Sequence, residues 1–486
     1  MEKVLQHLEP QKIWINFEKI CEIPHPSTKE QKLADFVKSF GEELNLETLV
    51  DDVGNILIRK PATKGLENRK TVILQAHLDM VPQKNRNKKF DFDNDPIDVI
   101  IDGEWIKANE TTLGADNGVG VAAIMAVLES NDIEHGPIEG LFTIDEETGM
   151  TGAFGLEPGF LQGDILLNLD SEDEGELYIG CAGGMDTTAT LTYHEENVPE
   201  NFLCYKLSVT GLKGGHSGMD INKGRGNAIK IMGRILWEAT KNFDLRLIEI
   251  TGGGMRNAIP REAFAVIAIP KTFEQEFQDY YDFIYDTIKS ELEISDPIFT
   301  LDLNTHDMPE MAIDFNTQKK LLAAIYACPN GVIRHDPSMP SIPETSSNLA
   351  IINTDSGRIE IQFLLRSSIE SAKDDLGNML LSIYELTGAE VAHSGEYPGW
   401  RPNIESEILG VMKKVYNDQF GKDPEVKIVH AGLECGVIGD TYPNLDMISF
   451  GPTIVHPHSP DERVEIRSVQ KFWQYLLETL KSVPER

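Results

Sequence analysis

The sequence predicts an α/β domain interrupted by an inserted α+β domain with an antiparallel sheet, so that two domains share one chain. Apolar strand-like runs alternate with helical ones up to about residue 185, and the same texture resumes after about 398. Between these stretches the strands lengthen and alternate in polarity, and amphipathic helices separate them. A chain of 486 residues also exceeds the size of one domain. The expected boundaries are 1–186 and 399–486 for the outer domain and 187–398 for the insert.

In the first part, strands are expected at 72–76, 141–144 and 165–169, with a helix rich in Ala, Val and Met over 118–129. Each strand ends in acid or histidine: His77, the run Asp145 to Glu147, and Asp170. In α/β sheets ligands bind beyond the carboxyl ends of the strands, so these polar groups converge on one rim. Within the insert, 204–209 and 358–365 read as strands and 273–294 and 374–386 as amphipathic helices, and the Pro- and Ser-rich segment 336–347 is expected to be a mobile loop. A helix over 405–420, strands at 426–429 and 447–450 and a closing helix from 468 to about 480 complete the outer domain. No internal repeat or low-complexity tract is present.

A formal net charge of −35 argues against a nucleic acid or an anionic membrane as partner, and fits bound divalent cations. No apolar run approaches the roughly 20 residues of a membrane helix, and the first residues lack a basic segment followed by an apolar core, so no secretory signal is expected. The five cysteines form no Cys-x-x-Cys pair, which disfavours a disulfide framework and a thiolate metal site. A cytoplasmic location is expected, with Cys181 and Cys435 as small buried apolar residues.

Five segments carry the chemistry: His77-x-Asp79, Gly114-Ala-Asp116-Asn-Gly118, Asp145-Glu146-Glu147-Thr-Gly149, Asn168-Leu-Asp170 and His456-Pro-His458-Ser-Pro-Asp-Glu462. Residues two apart on a strand share a face, so Asp79 can orient the imidazole of His77 while that imidazole meets a metal. Together, and in this order, the segments resemble the M20 family of metallopeptidases. The likeness extends into the insert through Gly214-Gly-His216-Ser-Gly218 and Asn257-Ala-Ile-Pro260.

The resemblance implies two zinc ions per subunit bridged by Asp116, with His77 and Asp170 completing one site and Glu147 and His458 the other. Imidazole and carboxylate donors without thiolate suit Zn²⁺ and also accept Mn²⁺ or Co²⁺. Asp116 could alternatively cap the helix expected to begin near Gly118, or do both. Glu146 is implied as the general base, the following Thr-Gly setting the register of the triple acid. His458 is preferred over His456 because the family's ligand precedes Ser-Pro-x-Glu. His216 is implied to stabilise the oxyanion, in dimeric relatives across the subunit boundary. Asn257 and Arg366 are expected to hold the substrate carboxylate, with a structural ion pair as the alternative for Arg366.

Other signals are weaker. The run Thr251-Gly-Gly-Gly-Met255 reads as a turn, Tyr280, Tyr281, Phe283 and Tyr285 as packing residues, and Glu172, Asp173 and Glu174 as acids able to attract a free amine. The implied activity is metal-dependent hydrolysis of unblocked Xaa-His dipeptides, β-alanyl-histidine included. Rivals are an N-acyl amino acid deacylase or broader peptidase on the same metal core, and a non-catalytic binding protein on the same fold. A homodimer through the insert is expected, with His216 acting in trans; a monomer with a duplicated lid also satisfies the sequence.

Overall fold

The computed structural model describes residues 3–486. The chain up to Gly180, with Pro402–Ile428 and Leu433–Arg486, forms one compact unit; Cys181–Arg401 with Val429–Gly432 forms the other. The sequence pattern puts these junctions at 186/187 and 398/399 and has no counterpart to the short return at Val429–Gly432. Among the described residues no helix is long and apolar enough to cross a membrane.

The first unit is built on an eight-stranded sheet in the order Glu47–Val50, Ile56–Lys60, Ile138–Thr143, Val72–His77, Ile165–Asn168, Asp446–Ser449, Glu176–Cys181, Glu425–Val429. Val72–His77 runs parallel to both Ile138–Thr143 and Ile165–Asn168, and Asp446–Ser449 runs parallel to Ile165–Asn168. Parallel strands of this kind lack a solvated face and read as continuous apolar runs; the first three are buried along their whole length. The crossover helix Ala115–Glu129 is buried from Asn117 to Leu128 and packs against helix Gln11–Cys21 and strand Val72–His77. Its apolar character all round is what such burial requires. Gly114, left-handed with φ 73°, turns the chain toward it; Asp116 and Asn117 depart from helical φ/ψ, and the regular helix runs on from Gly118 as expected.

A smaller antiparallel sheet joins Ile454–Val455, Arg463–Glu465, Trp105–Ala108 and Val99–Asp102. Its first two strands flank the turn that carries His458.

The second unit is a larger antiparallel sheet in which Arg246–Gly252 pairs with Pro343–Asp355, joining strands Phe202–Thr210 and Ala263–Pro270 to strands Arg358–Ser367 and Gly183–Thr192. Leu236, Ile250, Ile267, Ile325, Phe363 and Leu380 belong to its core. Two expectations need correction here. Most of 336–347 is ordered: Asp336 Oδ1 accepts from the amides of Ser338 (2.8 Å) and Met339 (3.1 Å), and from Pro343 the chain is a strand paired on both sides. Its hydroxyls read as loop signals because they compete for backbone partners. Here they find others, Thr345 Oγ1 with Ser367 Oγ at 2.9 Å and Ser346 Oγ with His430 Nε2 at 2.7 Å. The second correction is Phe283, which is 66% exposed, whereas Tyr280, Tyr281 and Tyr285 pack on the core. It lies off the stripe of Phe277, Ile284 and Ile288.

The Thr251–Met255 turn depends on Gly253, whose φ is 70° and where an added Cβ would lie 1.8 Å from the carbonyl oxygen of Ala350. Gly253→Ala should therefore destabilise the second unit by more than about 1 kcal/mol, measured as a lower urea midpoint. Gly254→Ala, with nothing within 4 Å of its Cβ, should leave that midpoint unchanged.

Candidate metal centre

His77 is the last residue of its strand, Glu146 and Glu147 open the helical turn Glu146–Gly149 after Ile138–Thr143, and Asp170 follows Ile165–Asn168. His77 Nε2 lies 3.2 Å from Asp116 Oδ1 and 3.3 Å from Asp170 Oδ1. On the other side of Asp116, His458 Nε2 lies 3.2 Å from Asp116 Oδ2 and 2.9 Å from Glu147 Oε1. Each oxygen of one carboxylate thus faces a different histidine. Ligand bonds of ~2.0–2.1 Å to a tetrahedral zinc space its donors roughly 3.3 Å apart, so both triads fit such an ion. Glu147 Oε1 is buried against the His458 ring, and a cation between the two would satisfy both. The donor set is imidazole and carboxylate throughout.

Asp79 does more than orient the imidazole. His77 Nδ1 lies 3.0 Å from the Asp79 carbonyl and 3.3 Å from Asp79 Oδ1, while the two carboxylate oxygens accept the amides of Glu146 (2.8 Å) and Glu147 (3.2 Å). One side chain therefore fixes a ligand ring and the backbone of the acid pair. Burial raises the Asp79 pKa, but its bonds to His77 and to the Glu146 amide outweigh this and hold it at about 2. Burial works against charge at His77 too, yet Asp170, Asp116 and Asp79 hold the imidazole well above its usual value. His458 is pushed up to about 11 by bonds to Asp116 and Glu147. Burial raises Asp170 to about 6 despite His77, and raises Glu146 well above the carboxylate range, with Asp170, Glu147 and Glu434 adding to the effect. Glu146 therefore favours its protonated form until a dication supplies the compensating charge.

Beneath the cage runs a buried polar network that the sequence motifs do not reveal. Gln75 Nε2 donates to Glu434 Oε2 and Thr143 Oγ1, Asn168 Nδ2 donates to Gln75 Oε1, and Ser449 Oγ donates to Asn168 Oδ1. Thr143 Oγ1 also donates to Glu434 Oε2 at 2.8 Å. Each central parallel strand contributes one member. Polar residues embedded in apolar strands are the signal the chain offers, because groups of that kind are buried only when bonded. Asn117 Nδ2 donates to Asp170 Oδ1, steadying that ligand. The alternative reading of Asp116 as helix cap does not hold. Both of its oxygens face histidines, and the amides of Leu113 to Asp116, just before the regular helix, are taken by Glu462, which also lies in the His458 segment. His456 is exposed. Of the three acids after Asp170, Glu174 is engaged by Lys471 (2.9 Å) and Tyr416 (2.7 Å) and Asp173 is exposed, while burial with Asp116 and Asp170 pushes Glu172 up to about 9.

The remaining expected residues belong to the second unit. His216 Nδ1 accepts the amides of Gly218 and Met219, both at 3.1 Å. That leaves the ring proton on Nε2, a donor of defined direction. Burial and the Arg366 charge lower the His216 pKa, favouring the neutral ring. Arg366 is 5% exposed; it donates from Nη1 to Tyr397 Oη at 2.8 Å and reaches Ser217 Oγ at 3.5 Å. Among the described residues it has no carboxylate partner, so the ion-pair alternative is not what the structure contains. Asn257 is exposed, its carbonyl accepting the Ser217 amide at 2.8 Å. Asn348, Tyr397 and His430 carry no sequence motif that points to them. Asn348 Nδ2 holds the Asn257 turn through the carbonyls of Arg256 (3.1 Å) and Ala258 (2.8 Å). Burial, with Arg366 and His216 adding, lowers His430 to about 3.

The description of peptidase family M20/M25/M40 matches residues 73–482. The cytosol non-specific dipeptidase of Escherichia coli (strain K12) is 47% identical over 482 residues, covering 99% of each chain. The crystal structure of aminoacylhistidine dipeptidase from Vibrio alginolyticus matches with a TM-score of 0.95 at 46% identity, over 99% of each chain. An aminopeptidase PepT structure from Bacillus cereus ATCC 10987 shares the fold alone, with a TM-score of 0.58 and 15% identity over 98% of this chain and 99% of that one. With these likenesses spanning the whole chain and the motif residues gathered at the strand ends, the protein belongs to peptidase family M20/M25/M40.

Proposed function

We propose that this M20 peptidase is a cytosolic dipeptidase acting on unblocked dipeptides, Xaa-His and β-alanyl-histidine among them, with two divalent ions, zinc or its substitutes manganese and cobalt. The observation that carries the reading is Asp116, whose two oxygens each lie 3.2 Å from a different histidine. Ions held there would polarise the scissile carbonyl and lower the pKa of the attacking water. Glu146 takes the proton of that water and returns it to the leaving amine; its amide is anchored on Asp79. The Nε2–H of His216 bonds the oxyanion. Arg366 presents a planar guanidinium to the terminal carboxylate, with Tyr397 setting its orientation and Asn257 adding a polar contact. A buried guanidinium lacking an internal carboxylate gains most from an anionic substrate group.

The name of the Vibrio relative supports histidine dipeptides as substrates, and that of the E. coli relative supports a broader dipeptide range. A homodimer through the insert belongs to the same proposal, and Ile294, Ile298 and Leu386 are exposed apolar side chains that pairing could bury.

Chelator-stripped protein should cleave β-alanyl-histidine and alanyl-histidine only after Zn²⁺ is restored. Equal cleavage of alanyl-leucine would establish the broad range, and cleavage of N-acetyl-histidine alone would move the function to deacylation. Glu146→Gln should lower kcat by about 10²–10⁴-fold while metal content, measured by atomic absorption, stays at two ions per chain. His216→Ala should lower kcat by about 10²–10³-fold. Mixing that variant with Glu146→Gln after subunit exchange would restore activity if His216 acts in trans, and would leave the mixture inactive if it acts in cis.

A further inference from the structure

We infer that Glu462 is a positioning residue for the metal bridge, holding the backbone of the Asp116 loop and tying that loop to the His458 turn. The inference rests on the reading of Asp116 and His458 as metal ligands. Glu462 is 2% exposed, and its oxygens divide four consecutive amides between them. Oε2 accepts Leu113 (2.7 Å) and Gly114 (3.0 Å); Oε1 accepts Ala115 (2.7 Å) and Asp116 (3.3 Å). These amides lie in the turn that leads into the helix, where Asp116 and Asn117 depart from helical φ/ψ, and buried amides there need a partner from elsewhere in the chain. With Glu462 in that place, both oxygens of Asp116 point outward, one to His77 and one to His458.

The same side chain links two ligand segments. His458 and Glu462 share one turn, closed by the Glu462 amide on the Ser459 carbonyl (3.0 Å) and by Ser459 Oγ on the His456 carbonyl (2.9 Å). The strand Arg463–Glu465 then anchors this turn on Trp105–Ala108, a few residues before the Asp116 loop. His458 is itself half exposed, with 51% of its side chain accessible, so little packing holds the ring. Its distance to Asp116 is set by the backbone that Glu462 clamps. Glutamine at 462 would turn an –NH₂ donor toward two of the four amides, breaking half of the clamp without changing its size.

The test is metal binding by full-length Glu462→Gln, titrated with Co²⁺ after chelation. The expected result is one tightly bound ion per chain, with the second bound about 10–100-fold more weakly, an altered d–d absorption spectrum, and a lower kcat at nearly unchanged KM. Two ions with the wild-type spectrum would overturn the assignment even if the melting temperature fell, because a cap that only stabilised its helix would have that signature. Should Glu462→Gln fail to fold by circular dichroism, the same titration on Glu462→Asp decides, since its shorter carboxylate reaches at most one pair of amides. Asp461→Asn, in the same turn, should bind both ions as wild type does. The metal readings need no substrate, so a wrong dipeptide assignment leaves them standing; wild-type protein that bound fewer than two ions would sink the ligand reading and this inference together.

Discussion

The chemistry of this protein depends on one carboxylate that faces two ways. Asp116 offers one oxygen to each histidine, so the backbone that carries it must aim both at once. Glu462 holds that backbone from a distant part of the chain. A charged acceptor is suited to the task, because bonds from amides to a carboxylate are stronger than neutral ones. The glycine before the helix is part of the same solution. With φ at 73°, Gly114 aims successive amides at one point, where any Cβ would also press on the Met80 sulfur at 2.9 Å.

Around that bridge the first unit controls charge through burial. His77 and Asp79 are each 1% exposed, and desolvation is the largest cause that raises Glu146 and Asp170 beside them. Parallel strands make this possible, since they bring His77, the acid pair and Asp170 to one edge while hiding their own backbone. The polar chain from Glu434 through Gln75 to Asn168 and Ser449 fixes strands that carry the candidate ligands at their ends. Asp79 works similarly at closer range, since a carboxylate bonded to two successive amides leaves the acid pair little freedom.

The second unit contributes groups of another kind. Its histidine is set as a neutral donor by two amides, and its arginine is held by hydroxyls rather than by an acid. Both leave a polar group directed outward without an internal partner of opposite charge. Such groups cost stability when buried, and they persist where a ligand completes them. The strand Pro343–Asp355 supports this region from beneath, Ser346 bonding His430 and Asn348 holding the turn of Asn257.

Much of the metal centre is legible in the order of residues along the chain. Histidine and acid at strand ends, spaced by helices, identify a ligand rim, because strand periodicity and residue chemistry are local properties of the chain. The loop expected at 336–347 shows where local signals mislead: serine and threonine usually mark turns, and only their partners across the sheet make them strand residues. The sequence by itself therefore determined which acids and histidines meet at the strand ends, their order and the alternation of strands and helices. Only the tertiary structure decided that Glu462 holds the Asp116 loop, that Tyr397 holds Arg366 and that His216 keeps its proton on Nε2. Glu462 and the first amide it accepts stand 349 positions apart, and a contact that distant in sequence leaves no period or motif, being selected only when the whole chain has packed.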